Sequence, residues 1–189
     1  MEFDSNKVSS PDEKLILVDD EDNIIGYASK IKSHAGKGVL HRAFSIFIFN
    51  EQKQVLLQKR SAEKPLWPLF WSNGVCSHPR EGESCEEALQ RRLQEELGLT
   101  LPLKFLFKFK YQAQFNDLGS EYELCSVYLG KATQIVKANS REIAEWKYVE
   151  IEELNRDVRE NPFAYTPWFK IEWKRISEQY LANINELYD

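Results

Sequence analysis

The sequence predicts an α/β domain in which a mixed β-sheet is flanked by helices, and three observations carry that expectation. The run His41–Phe49 places Phe44, Ile46, Phe47, Ile48 and Phe49 on both faces, the pattern of a central strand covered from both sides. From Ser84 to Gly98 the chain carries the start, stripe and stop of an amphipathic helix. Strand-like and helix-like segments then interleave to the C-terminus, as they do when helices pack on a sheet.

In chain order, residues 14–19 read as a short strand, 20–23 as a turn and 24–27 as the return strand of a hairpin. After His41–Phe49, residues 50–53 supply turn chemistry and 55–59 return as a partner strand. Pro65, Pro68, Asn73, Gly74 and Pro79 mark a long irregular stretch, and long loops in compact domains are usually functional. Ser84 is the expected N-cap, with Glu87 completing a capping box. Cys85, Leu89, Leu93 and Leu97 form the apolar stripe, and Gly98 ends the helix. Residues 103–115, 123–132 and 144–150 have strand character, and 151–159 look helical. Thr166-Pro167 starts a final helix running to about Leu187.

A chain of 189 residues suits one domain with its own core, so 1–189 is expected to be a single domain, with about the first dozen residues lacking order. With 42% hydrophobic and 29% charged residues it is globular in composition, without internal repeats. A formal charge of -5 argues against nucleic acid held on a basic surface, so any phosphate must be gripped locally. The acidic N-terminus has no apolar stretch and no run approaches a membrane span; a cytoplasmic monomer, free of membrane and nucleic acid, is expected. Cys76, Cys85 and Cys125 have no disulfide-like spacing, which fits a reducing compartment.

Three groups of residues can carry chemistry. In the predicted helix, Glu83, Arg91, Leu93, Glu95, Glu96, Gly98 and Leu99 fall in register with the pattern G-x5-E-x7-R-E-U-x-E-E-x-G-U, so the segment resembles the Nudix box and implies a Nudix-like α/β/α fold. Ser77 stands at the first Gly and Arg92 at the first Glu of the Arg-Glu pair. That Glu binds metal in hydrolases of the family, so its loss weakens a hydrolase expectation. The plain alternative is a solvated helix with Arg91/Glu95 and Arg92/Glu96 pairs, about 0.2–0.5 kcal/mol each. The second group is His34, His41 and His78 with Glu121-x-Glu123, nitrogen and oxygen donors suited to a borderline or hard divalent ion, though scattered histidines are more often surface residues. The third is Trp71-Ser72-Asn73-Gly74-Val75-Cys76-Ser77-His78-Pro79.

Together with His34-x6-His41, Glu121-x-Glu123-x-Cys125 and the altered box, this third segment resembles the type I isopentenyl-diphosphate isomerases, over about Leu15 to Trp168. The resemblance implies a flavin-free interconversion of isopentenyl and dimethylallyl diphosphates in isoprenoid biosynthesis, through a carbocation. Matching positions make Cys76 and Glu123 the proton-handling pair, Tyr111 a hydrogen-bond donor to the carboxylate, and Trp168 the aromatic facing the cation. Such a contact is worth roughly 2 kcal/mol when dry. His34, His41, His78, Glu121 and Glu123 would hold Mn²⁺, Zn²⁺ or Mg²⁺. Lys30, Arg60, Lys64 and Arg92 would grip the diphosphate, and a Mg²⁺ would bridge it to Glu96 and the Cys76 backbone carbonyl. A cysteine suits proton transfer because neighbouring positive charge can lower its pKa; for Cys85 and Cys125 a buried structural role is expected. The aromatic stretch 65–71 either lines the hydrocarbon end of the pocket or caps the core. Two rival expectations are a Nudix hydrolase acting on a nucleoside diphosphate derivative, against which Arg92 and Cys76-x-His78 stand, and a binding module without turnover.

Overall fold

The computed structural model describes residues 8–189; residues 1–7, part of the dozen expected to lack order, lie outside that range. The predicted mixed sheet is present. Strands β1 (Lys14–Val18) and β2 (Ile24–Ser29) form the opening hairpin, and β3 (His41–Phe49) is the central strand. Along one edge β3 pairs in turn with β1, β6 (Val75–Ser77) and β4 (Val55–Arg60), all antiparallel. Along the other it pairs in parallel with β8 (Gly119–Lys131), which pairs antiparallel with β7 (Leu103–Phe115). Strand β4 also binds β5 (Trp71–Asn73) and β9 (Ile143–Val149).

The two-residue period of β3 divides the core. Phe44, Ile46 and Ile48 face helix α2 (Cys85–Leu97), packing with Leu89, Leu93 and Leu97. Ala43, Phe47 and Phe49 face the opposite layer, where Phe169, Trp173 and Ile176 of α4 (Pro167–Gln179) stack against them. His41 and Ser45 share that second face at the start of the strand, which fixes where the functional side chains gather.

Helix α2 forms as its sequence dictates: Ser84 and Glu87 make the reciprocal capping box, and Gly98 ends the helix at φ 64. Its buried face holds Arg92 and Glu96 beside the leucines, charges where an apolar stripe alone would stabilise the fold. Three expectations are corrected. The stretch after Arg60 is not wholly irregular, because Asn73 Nδ2 donates to Ile46 O at 3.2 Å and Val75 O at 2.8 Å and docks β5 and β6 on the sheet. A short helix, α1 (Lys30–His34), follows β2, too brief for any periodic signal. The last helix breaks at Tyr180, whose ring packs 5.2 Å from Phe107, and α5 (Leu181–Asn185) follows, between α4 and the C-terminus; α3 (Ile151–Glu160) lies where expected.

Candidate active site

The strand registers assemble the first half of the site. His41 of β3 pairs with Glu123 of β8, and Glu123 with Tyr111 of β7, so the three side chains share one face. Tyr111 donates to Glu123 Oε2 at 2.5 Å. Burial and then the Glu123 charge push the phenol well above its usual pKa, which keeps it a donor. His78, after β6, reaches Glu123 Oε1 at 2.8 Å. His34 closes the group from α1: its Nδ1–H donates to Lys30 O at 2.7 Å, turning Nε2 to within 2.7 Å of Glu121 Oε2. Gly119 permits that approach, since a Cβ there would lie 2.5 Å from the His34 carbonyl oxygen. The box helix contributes too: Arg91, paired to Glu83 at 2.6 Å, donates to His78 O at 3.4 Å.

The five ligand atoms of His34, His41, His78, Glu121 and Glu123 lie within 4.8 Å of one another. His41 Nδ1 donates to Val39 O at 2.7 Å, leaving Nε2 buried without a hydrogen-bond partner, as is His78 Nδ1. Although His34 Nε2 is close to Glu121 Oε2, the pair lacks hydrogen-bond alignment. Buried nitrogens without a hydrogen-bond partner beside buried carboxylates call for a further partner, and this set of nitrogen and oxygen donors fits a divalent metal. Burial alone would raise both carboxylates, yet His34 holds Glu121 low, and His41 with Tyr111 holds Glu123 low. Burial drives His78 the other way, well below its usual pKa and hence neutral, the form that ligates.

A cleft of about 440 Å³ is lined by His34, His78, Glu121 and Glu123 of this group, by Cys76 and Trp168, and by Lys30, Lys64 and Arg92. Cys76 pairs with Ser45 across β3 and β6. Its thiol donates to Asn73 Oδ1 at 2.8 Å and receives the Trp168 indole N–H at 3.1 Å. Trp168 is thus a core residue with its N–H satisfied and also a wall of the cleft. Here the sequence expectation is corrected: burial, then the negative potential of Glu172, push the Cys76 thiol up to about 12 rather than down. Glu172, fully buried one turn after Trp168, was missed; its only sequence signal is a carboxylate in the stripe Trp168, Phe169, Trp173, Ile176. Cys125 is buried and Cys85 lies against Tyr128 at 3.4 Å, structural positions as expected. Of stretch 65–71, Leu66 and Trp67 join the core, while Pro65 and Leu66 line the cleft.

The four expected cations line the same cleft. Burial and the neighbouring charge of Lys64 lower Lys30 to about 8, the signature of cations crowded where an anion belongs. Arg92 is held at Glu96 by Nε at 3.0 Å and Nη2 at 2.7 Å, and at Glu95 by Nη1 at 3.0 Å. Arg60, in the same lining, also braces the loop, donating to the carbonyls of Trp67 at 3.0 Å and Leu66 at 2.9 Å, with its guanidinium 5.2 Å from the Trp168 ring. Those carbonyls belong to a segment in which Trp67 and Leu69 sit at φ 46 and 63, costly backbone for bulky residues.

Sheet, box helix and cleft together define a NUDIX domain, and the NUDIX domain profile matches residues 39–169. A crystal structure from Deinococcus radiodurans, DR0079, superposes with a TM-score of 0.71 at 22% identity, over 86% of this chain and 98% of that one. The MutT protein of Methanosarcina mazei gives 0.62 at 19% identity, over 75% and 96%. In sequence, the chain is 39% identical to isopentenyl-diphosphate Delta-isomerase 1 of Photorhabdus laumondii over 91% of its own length and 99% of the relative's. Against isopentenyl-diphosphate Delta-isomerase of Serratia proteamaculans it is 42% identical over 84% and 88%. The chain belongs to the isopentenyl-diphosphate Delta-isomerase family, carried on a NUDIX domain.

Proposed function

We propose that this chain interconverts isopentenyl diphosphate and dimethylallyl diphosphate in isoprenoid biosynthesis, acting as a single-domain cytoplasmic monomer without flavin. The observation that carries the reading is the cleft itself: a thiol and a carboxylate, Cys76 and Glu123, share one cavity with the Trp168 indole, which donates to the Cys76 sulfur, and with four cations in its lining. An unactivated alkene is a poor base, so the reaction needs an acid, a base and a shielded cation. One of Cys76 and Glu123 adds a proton to the alkene; the other removes one from a neighbouring carbon of the tertiary cation. Tyr111 steadies the Glu123 carboxylate, and Trp168 offers its ring to the cation. The residues His34, His41, His78, Glu121 and Glu123 would hold Mn²⁺, Zn²⁺ or Mg²⁺, and such an ion would supply a positive charge that adjusts the acidity of the Glu123 carboxyl group. Lys30, Arg60, Lys64 and Arg92, which line the cleft, receive the diphosphate, and Glu96 with the Cys76 carbonyl would hold Mg²⁺, whose preference is for oxygen ligands.

The test is incubation of purified protein with isopentenyl diphosphate, Mg²⁺ and D₂O, followed by NMR. Deuterium enters a dimethylallyl product with wild type, and Cys76→Ala and Glu123→Gln give none above background. Release of phosphate in place of that product would make the chain a hydrolase. Among the described residues no helix is long and apolar enough to cross a membrane.

A further inference from the structure

Two carboxylates in the cleft lining, Glu63 and Glu142, have no part in the proton chemistry or in the metal group; Glu63 pairs with Arg141 at 3.8 Å, and Glu142 with the cations of the diphosphate site. Glu142, at the entry to β9, is 2% exposed, yet it lines the cleft beside the cations. Its side chain accepts from Lys64 Nζ and, at 3.3 Å, from Arg92 Nη2. Its backbone is pinned as well: Ser61 N donates to its carbonyl at 3.0 Å, and its own N–H donates to Asn139 O at 3.0 Å. Among the described residues it is the only carboxylate within ion-pair distance of Lys64, an ammonium on a flexible stem in a loop. Burial alone would raise its pKa, but Lys64 and Arg92 hold it at about 2.

A fixed negative charge beside an anion site repels the anion, and burying it is costly unless it is paired. What it gives in return is order. Arg92 and Lys64 approach the cleft from different elements, α2 and the loop after β4, and among the described residues Glu142 is the one carboxylate that pairs with both. We propose that Glu142 is a positioning residue of the diphosphate grip, setting Lys64 and Arg92 in one fixed arrangement that receives the substrate's diphosphate. The inference rests on the diphosphate reading above and deepens it, because preorganised cations bind without first being ordered.

The experiment is calorimetric titration of the full chain, with Mg²⁺ present, by inorganic diphosphate, alongside steady-state kinetics with isopentenyl diphosphate. E142Q is expected to bind diphosphate about tenfold more weakly and to raise KM by a similar factor, with kcat within about threefold. In a K64A background the same substitution is expected to cost less than about threefold, since its effect passes through Lys64. E142D, which keeps the charge at shorter reach, is expected to fall between wild type and E142Q. Unchanged or tighter diphosphate binding by E142Q overturns the proposal, because Glu142 would then act only by repulsion; so does an undiminished loss in K64A, or an equal loss in E142D and E142Q. Wild type that binds diphosphate but makes no dimethylallyl product sinks the isomerase and leaves this inference standing.

Discussion

At the residue scale the sharpest departure from expectation is Cys76. Nearby cations argue for a lowered thiol, and Arg60 does lower it, but burial and Glu172 outweigh it and hold the group at about 12 against an ordinary 9.0. Protein stripped of metal should therefore alkylate slowly at this position. A shift of that size removes about three decades of thiolate, and the greater nucleophilicity of a more basic sulfur returns roughly half of them, leaving a rate about 30-fold below a free thiol at pH 7.5. Iodoacetamide labelling followed by peptide mass spectrometry reads it directly; labelling faster than free cysteine would mean a thiolate and a different electrostatic site. The sequence could place Cys76 beside His78 but could not bring Glu172 to it, since that carboxylate approaches from a helix almost a hundred residues later. Arg92 was legible by contrast, because a cation at a stereotyped box position stands out, as does its i, i+4 partner Glu96, without knowledge of its remote partner Glu142.

At the element scale, α4 shows what a buried carboxyl costs. Glu172 is fully buried on the stripe that packs against β3; Cys125 Sγ lies 3.6 Å from Oε1, Oε2 has no partner, and Ser45 and Glu123 are the other groups that bear on it. Burial, with Glu123 adding to it, raises its pKa from 4.5 to about 8. Between those two values the unfolded chain has lost the proton that the folded chain keeps, so stability falls as pH rises through that window and levels off above it. Glu172→Gln removes this dependence. Its Tm relative to wild type should rise between pH 5 and pH 8.5 by several degrees, at about 2–4 °C per kcal/mol for a chain of this size. A difference independent of pH would show that the carboxyl is ionised or solvated at neutral pH. Elements with strong local signals were readable, as the capping box of α2 and the two-sided run of β3 show. Helix α1 and the break at Tyr180 were not, because one depends on the contact of His34 with Gly119 and the other on Phe107, both remote in sequence.

At the scale of the whole molecule the metal group joins four separate segments: α1, β3, the turn after β6, and β8. Each residue type could be named from the sequence, but their meeting point is set by the parallel register of β3 on β8 and its antiparallel register on β6, long-range pairings that no local pattern encodes. The same connectivity would make a divalent ion bound at this group a structural clamp. An ion bound only by the folded chain stabilises it by RT ln(1 + [L]/Kd), about 2.7 kcal/mol at a hundredfold excess over Kd, or roughly 5–10 °C in Tm. Mn²⁺ added to chelator-treated protein should therefore raise Tm in a concentration-dependent way, and His41→Ala should abolish most of the rise, since it removes the most deeply buried imidazole of the group and its orphan Nε2. An equal rise in wild type and His41→Ala would place the stabilising ion elsewhere. A rise lost in His41→Ala but kept in Glu142→Gln would separate ion binding at the His/Glu group from the cations proposed to hold the diphosphate, two charge systems that share a single cleft.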